Sequence, residues 1–136
     1  MKIGVHELEF EHPDLAILHV RGEATKQDAI DVGEAIVAFS PGGRVFLLSV
    51  NNAAGNLGMS GAARKIFAEK LKDVTLVGVC VVGGDFRVRV VARLLDGVMR
   101  VLSKQQTRLH FVDTEEQARV WLRELGCQAC MRRSAP

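Results

Sequence analysis

The fold of this chain is decided by residues 74–86, which read VTLVGVCVVGGDF. The segment 74–82 is almost continuously apolar, and a strand with apolar side chains on both faces is typical of the interior of a parallel sheet. Gly83 and Gly84 then favour a tight turn, and Asp85 is suited to cap a helix that follows. The segment therefore predicts a buried central strand that leads directly into a helix.

The helix predicted from Phe86 to about Ser103 separates by angle into two faces. At about 100° per residue, its aliphatic side chains fill one broad half: Val90, Val91, Leu94, Leu95, Val98, Val101 and Leu102. A basic ridge on the opposite side consists of Arg89, Arg93, Arg100 and Lys104. Such a ridge is usually a solvated helix face, and its functional alternative is contact with an acidic protein surface or with lipid headgroups.

Strands and helices alternate on both sides of this unit. Residues 4–11 and 15–21 predict an opening hairpin in which His6 pairs with His19, and Thr25 with Asp28 has the spacing of a helix capping box. The remaining elements are helices at about 25–39, 59–71 and 114–125, and strands at 44–50 and 107–112. The order ββαβαβαβα predicts an α/β fold with a mixed, mostly parallel five-stranded sheet and about four helices.

Composition and length indicate a single globular domain. The chain has 136 residues, of which 48% are hydrophobic and 25% charged, and such values are ordinary for one soluble domain. We assign this domain to residues 1–125 and expect residues 126–136 to be a flexible tail. The longest apolar run is too short to span a bilayer and no signal peptide opens the chain, so we expect a cytoplasmic protein without a membrane span. The formal net charge of +2 provides no concentrated basic surface for nucleic acid.

The cysteines and histidines predict neither catalysis nor a metal site. Cys127 and Cys130 form a CxxC that follows a predicted helix C-terminus, whereas redox CxxC motifs lie at a helix N-terminus, where the dipole lowers the thiol pKa. Zinc would need two more ligands, and Cys80 lies within the central strand. The pair His6 and His19 shares its face with no carboxylate. Because no residue pair has the context of a nucleophile with its base, we expect no enzyme activity, no metal and no cofactor.

Four stretches of the chain, taken in order, carry a family resemblance. They are Gly22–Thr25, 45–58, 79–86 and the closing FVDTEEQARVWL at 111–122. Together they resemble the STAS domain of anti-sigma-factor antagonists and sulfate transporters, and more closely its bacterial SpoIIAA-like, or STAS/SEC14-like, branch. The resemblance covers roughly residues 4–125. It implies a non-catalytic domain that binds proteins, or small or lipidic ligands, and often self-associates.

The resemblance also implies a switch residue at the start of the second helix. Typical STAS regulators carry a phosphorylatable Ser in an Asp-Ser-Ser-Gly-like turn, and the matching residues here read GMSG at 58–61. Ser60 is therefore the candidate phosphosite. Met59 stands where the acid is expected, and Ser49 or Asn51 stands where the preceding strand often ends in another acid. Considered without the resemblance, Ser60 is also a good helix cap, and both roles stay open.

The loops beyond the carboxyl ends of the strands form the candidate binding site, because ligands of parallel α/β sheets gather there. The candidate contact residues are Asn51, Asn52, Asn56, Met59, Ser60, Gly83, Gly84 and Asp85. We expect a regulatory protein–protein interaction through the Asn51–Ser60 loop and the following helix, with a homodimer as one arrangement. The alternative is a carrier or sensor of a small apolar or lipid ligand, which the SEC14-like branch and the wide apolar half of the 86–103 helix favour.

Overall fold

A computed structural model of the chain describes residues 1–40, 43–51, 58–84, 86–103 and 106–134. Within these ranges one sheet contains six strands: β1 Lys2–Ile3, β2 His6–Glu11, β3 Leu15–Val20, β4 Arg44–Asn51, β5 Thr75–Gly83 and β6 Arg108–Val112. Five helices accompany it: α1 Lys26–Phe39, α2 Gly61–Leu71, α3 Phe86–Ser103, α4 Glu115–Glu124 and α5 Gln128–Ser134. The predicted α/β class is confirmed.

The strands lie in the sheet in the same order as in the sequence, from β1 to β6. β2 pairs antiparallel with both β1 and β3, whereas β3, β4, β5 and β6 are parallel. Crossovers that all step in one direction with the usual right-handed sense place their helices on one face. In agreement, α1, α2 and α3 share one hydrophobic cluster, and α4 and α5 belong to a cluster on the opposite face. The sheet is mixed and mostly parallel, as predicted.

The predictions of five strands and about four helices each miss one short element at an end of the described chain. The two-residue β1 pairs Ile3 with His6 of β2, and a strand this short shows no alternation that a sequence pattern could reveal. The 74–82 strand is interior as predicted, since β5 lies between β4 and β6, but it is next to the edge strand β6 and not at the centre of the six-stranded sheet. Its side chains enter both clusters, with Leu76 on one face and Cys80 on the other.

The predicted register of the opening hairpin is wrong by one residue. Glu7, not His6, lies opposite His19, and the turn between the strands uses residues 12–14. Asp14 lies in this turn, and its carboxylate caps α5. A shift of one residue moves every side chain of a strand to the other face. The predicted His6–His19 pair is therefore wrong, and the two rings lie on opposite faces of the sheet.

The predicted loose tail is wrong for Gln128–Ser134, which form α5. Cys127 and Cys130 at its start are fully buried. The first two amides of the helix donate to Asp14: Gln128 N lies 2.9 Å from Oδ2 and Ala129 N lies 3.0 Å from Oδ1. These partners are 114 and 115 positions apart in the chain, so no local sequence pattern indicates the cap.

The predicted helix starts are confirmed where a hydroxyl residue provides the cap. Thr25 Oγ1 accepts from Asp28 N at 3.1 Å, and the Asp28 carboxylate accepts from Thr25 N at 3.0 Å. Ser60 Oγ accepts from Ala63 N at 3.1 Å. Thr114 begins α4 with a second capping box. These bonds satisfy amides that the first turn of a helix leaves without partners.

Candidate functional site

An apolar cavity of about 120 Å³ lies between the sheet and helices α1, α2 and α3. It reaches the carboxyl ends of the strands, where Val20 and Asn51 line it. Its walls are mostly aliphatic, and the main contributors are Leu18, Ala29, Val32, Leu47, Phe67, Val79, Val81, Val88, Val91, Ala92 and Leu95. The cavity is thus at the edge of the sheet where parallel α/β proteins bind their ligands.

A second cavity of about 40 Å³ lies farther along α3. It shares with the first the lining residues Leu47, Phe67, Val79, Ala92 and Leu95. Protein interiors are close-packed, with few voids larger than a water molecule. Two neighbouring cavities therefore mean that α3 is incompletely packed against the sheet over much of its length.

A buried histidine and a buried carboxylate also line the larger cavity. His6 Nε2 lies 3.3 Å from Asp28 Oδ2, and the two side chains are 3% and 12% exposed. His6 Nδ1 accepts a hydrogen bond from the backbone N–H of Arg21 at 3.2 Å. Because Nδ1 is the acceptor, the ring proton is on Nε2, on the side of Asp28.

Local structure explains how these two side chains meet. His6 precedes Leu8 by two residues in β2 and so lies on the same face, which α1 covers. Asp28 is held at the start of α1 by its capping box with Thr25. Gly4, at φ +60°, leaves room for the carboxylate, since a Cβ there would lie only 2.6 Å from Asp28 Oδ1. The glycine, the strand and the cap together fix the pair.

Further polar side chains on this face come from the end of β4. Ser49 and Asn51 alternate with Leu48 and Val50, which lie in the cluster on the other face, and both line the larger cavity. Asn51 Nδ2 donates to the Val82 carbonyl at 3.2 Å, which ties β4 to β5 at their carboxyl ends. The cavity therefore has an aliphatic body and a polar end.

The structure brings part of the predicted recognition loop to this cavity. Asn51 and Met59 line it, and Met59 also forms an isolated parallel bridge with Ala24. Ser60 is exposed and caps α2. The remaining predicted residues, Asn52, Asn56 and Asp85, lie outside the described part of the chain. The ends of the loop are thus at the cavity.

The predicted glycines of the strand-to-helix turn have a backbone role. Gly83 and Gly84 have φ of +71° and +84°, a region that disfavours other residues. A Cβ on Gly84 would lie 2.7 Å from Val88 Cγ2, and one on Gly83 would lie 3.0 Å from the Asn51 carbonyl oxygen. Both glycines allow the tight passage from β5 into α3.

The arginines of the predicted basic ridge are largely engaged by other side chains. The ridge consists of Arg89, Arg93, Arg100 and Lys104. The guanidinium groups of Arg89 and Arg93 lie 5.5 and 5.4 Å from the centre of the Phe111 ring, within cation–π range. Arg100 pairs with Asp96 at 3.2 Å, and Lys104 lies outside the described residues. The ridge therefore contributes to the packing of α3 over β6.

The broad apolar half predicted for α3 is divided between the core and solvent. Val88 and Met99 are buried, and Val91, Ala92 and Leu95 line the cavity with Val88. Among the exposed apolar side chains of α3, four form an apolar stripe of Phe86, Val90, Leu94 and Val101, and Leu102 is exposed outside this stripe. Phe86 and Val101 are each 78% exposed. Only part of the predicted apolar half of α3 therefore contacts the core, and the rest is exposed.

The CxxC lies at the start of α5, so its predicted position in a loose tail is wrong. The pKa of Cys127 is raised by its hydrogen bond to Cys130 and by burial, and the pKa of Cys130 is lowered by accepting that bond and by Arg119. The Cys127 thiol also lies 3.7 Å from Asp14 Oδ1. Burial raises the pKa of Cys80 to about 12. All three are buried thiols that form no disulfide, and burial limits their reaction with solutes.

The His6–Asp28 pair is the part of the site that sequence reasoning misses. Asp28 is predicted only as a cap and His6 only as a partner of His19. The sequence signal that could reveal this pair is His6 itself. It is a polar residue on the same strand face as Leu8 and Phe10, which belong to the core. Among the described residues, no group of three or more His, Cys, Asp or Glu side chains could hold a metal ion.

The fold and the cavity define the class: an α/β protein with an apolar cavity that has a buried polar end. None of its described helices is both long and apolar enough to cross a bilayer. No family model matches the chain, and no curated protein or solved structure matches it either.

Proposed function

We propose that this protein is a cytoplasmic, non-catalytic STAS-like module that carries or senses a small, largely apolar ligand. The observation that carries this proposal is the cavity of about 120 Å³ at the carboxyl ends of the strands. At roughly 10–15 Å³ for each water-sized position, it has room for about ten non-hydrogen atoms. A well-formed apolar pocket with a few convergent polar groups is the usual form of a small-molecule site.

The STAS-like part of the proposal rests on element order and on one stretch of sequence. An opening hairpin is followed by parallel strands that alternate with helices. The FVDTEEQARVWL stretch forms the last parallel strand, the capped start of α4 and its buried residues Ala118 and Leu122. Both features support the family resemblance, which in turn favours ligand or partner binding over catalysis.

We expect toluene, an apolar probe without a polar group, to bind saturably with a Kd of about 1 mM. Ala92→Leu should abolish this binding because Ala92 lines both cavities and the larger side chain fills them. The measurement is a titration followed by methyl NMR shifts, which should change at Val91 and Leu95. Ala62→Leu, at an exposed site on α2, is the matched control. Shifts that do not saturate, or that persist in Ala92→Leu, would count against the cavity as the site.

The second candidate function is a regulatory protein–protein interaction. The apolar stripe on α3 favours it, because exposed contiguous apolar surface commonly marks an interface. At 100° per residue the four side chains fall within about 80° of arc, on one side of the helix. We propose that this stripe, together with the Asn51–Ser60 loop, contacts a protein partner, of which a second copy of the chain is the simplest.

For the homodimer, light scattering and native mass spectrometry should detect a dimer that Leu94→Glu converts to a monomer. A charge in the middle of an apolar interface is left without a partner and costs several kcal/mol, so the change should exceed about a hundredfold in Kd. Val5→Glu, at an exposed aliphatic residue between β1 and β2, should leave the dimer intact. A wild-type protein that is monomeric at every concentration would exclude the homodimer, and the proposed partner would then be a different protein.

Ser60 keeps its proposed second role as a phosphosite. Its side chain is exposed at the N-terminus of α2, where added negative charge interacts favourably with the helix dipole. Incubation with cell extract should add one phosphate to the wild type and none to Ser60→Ala. An unmodified intact mass for the wild type would contradict this role.

A further inference from the structure

The polar end of the cavity contains a buried hydrogen-bond donor that is not satisfied. His6 is 3% exposed, and its Nε2 carries the ring proton because Nδ1 accepts from Arg21 N. Nε2 lies 3.3 Å from Asp28 Oδ2, but this contact does not have the geometry of a hydrogen bond. In the described part of the chain, no atom accepts a hydrogen bond from it. Such a group costs stability, and its presence in a binding cavity indicates that something else supplies the acceptor.

The same end of the cavity carries negative charge. Asp28 accepts from the Thr25 backbone N–H at 3.0 Å, and hydrogen bonds of this kind suit a carboxylate. No Lys or Arg is among the described residues that line the cavity. Because charges interact strongly inside an apolar cavity, an anionic ligand group would be repelled by Asp28 and would find no cation to offset that repulsion.

We infer, on the basis of the proposed function, that the ligand is an apolar molecule with an uncharged hydroxyl group. Its oxygen accepts from His6 Nε2–H, and its proton is donated to the Asp28 carboxylate. A hydroxyl is both donor and acceptor, so it satisfies both side chains at once. A carboxylate is repelled by the charge of Asp28, and an ammonium group offers no acceptor to Nε2–H. A hydrocarbon leaves the His6 Nε2–H donor without a partner.

Calorimetric titration with three ligands that share an eight-carbon chain tests this assignment. The probes are 1-octanol, octanoate and octylamine at neutral pH, so that only the head group changes. We expect 1-octanol to bind at least about tenfold more tightly than either charged ligand, because a site built for one hydrogen-bonding group rejects groups that leave it unpaired.

Two variants separate the contribution of the His6 donor from that of the Asp28 charge. His6→Leu should weaken 1-octanol binding about tenfold and leave toluene binding unchanged, because only the hydroxyl contacts Nε2. A purely structural role for His6, whose Nδ1 also accepts from Arg21 N, predicts that both affinities fall together. Asp28→Asn should remove the discrimination against octanoate while 1-octanol still binds. Asp31→Asn, at an exposed carboxylate on the same helix that accepts from Gln27, should change none of these affinities.

Three outcomes would overturn the inference. Octanoate or octylamine binding more tightly than 1-octanol would show that one charge alone selects the ligand. Equal affinity for all three would show that the head group makes no contact with His6 and Asp28. If none of the three ligands binds while toluene still does, the ligand does not carry a hydroxyl group, but the cavity remains the binding site. If toluene also fails to bind, the proposed function falls, and this inference falls with it.

Discussion

Asp14→Ala is expected to lower the free energy of unfolding by about 3 kcal/mol, because two backbone donors lose a charged acceptor and become unsatisfied. For a domain of this size that loss corresponds to a decrease of about 10 °C in Tm. Urea denaturation followed by circular dichroism measures the first quantity, and thermal denaturation measures the second.

The expectation rests on the position of Asp14 between two distant parts of the fold. Asp14 is 8% exposed and lies in the turn before β3, while its carboxylate accepts from the amides of Gln128 and Ala129. Asp14 thereby joins the hairpin turn to α5. Hydrogen exchange at these two amides should accelerate in the variant, because they no longer have an acceptor.

Asp31→Ala is the matched control for Asp14→Ala. It also removes a carboxylate that accepts a hydrogen bond, here from Gln27 Nε2 at 2.9 Å, but at an exposed site. Its effect should stay within about 0.5 kcal/mol. A change of less than about 1 kcal/mol for Asp14→Ala would mean that water replaces the carboxylate at the start of α5, so that the cap does not stabilise the fold.

The parts of the fold that the sequence predicts well are those with a local physical cause. The strand at 74–82 is apolar over its whole length, and the caps at Thr25, Ser60 and Thr114 depend on residues within one helical turn. Helices between successive strands require crossovers, so the parallel part of the sheet follows from element order. The start of α5 instead uses a long-range interaction with the Asp14 carboxylate, and no local pattern contains that information.

The candidate site also has a part that local sequence patterns predict and a part that they do not. The general rule for parallel sheets correctly directs attention to strand ends, and Asn51 and Met59 do line the cavity. The contact of His6 with Asp28 could not be predicted, because it joins a strand to the start of a helix and no local pattern contains that pairing. The packing of α3 could not be predicted either. Angular position shows that its apolar half is wide, but not which part of that arc the sheet covers.

Gly33→Ala is expected to destabilise the protein by about 2 kcal/mol, although alanine is the better helix former. Gly33 is buried in α1, and a Cβ there would overlap Cβ of Lys70 on α2. This atom is at the root of its side chain, so a rotamer change cannot move it away. The two helices would have to separate, which loosens the packing of both against the sheet.

Gly97→Ala makes the same substitution in α3 and is expected to change the free energy of unfolding in the opposite direction. Gly97 is exposed, and an added Cβ would meet no atom within 4 Å. Alanine should therefore stabilise the protein by about 0.5–1 kcal/mol through the lower backbone entropy of the unfolded chain. Paired urea denaturation of the two variants measures the difference, about 3 kcal/mol in total. Stabilisation by Gly33→Ala would mean that α1 and α2 are farther apart than the structure places them. Destabilisation by Gly97→Ala would mean that the exposed side of α3 packs against another surface.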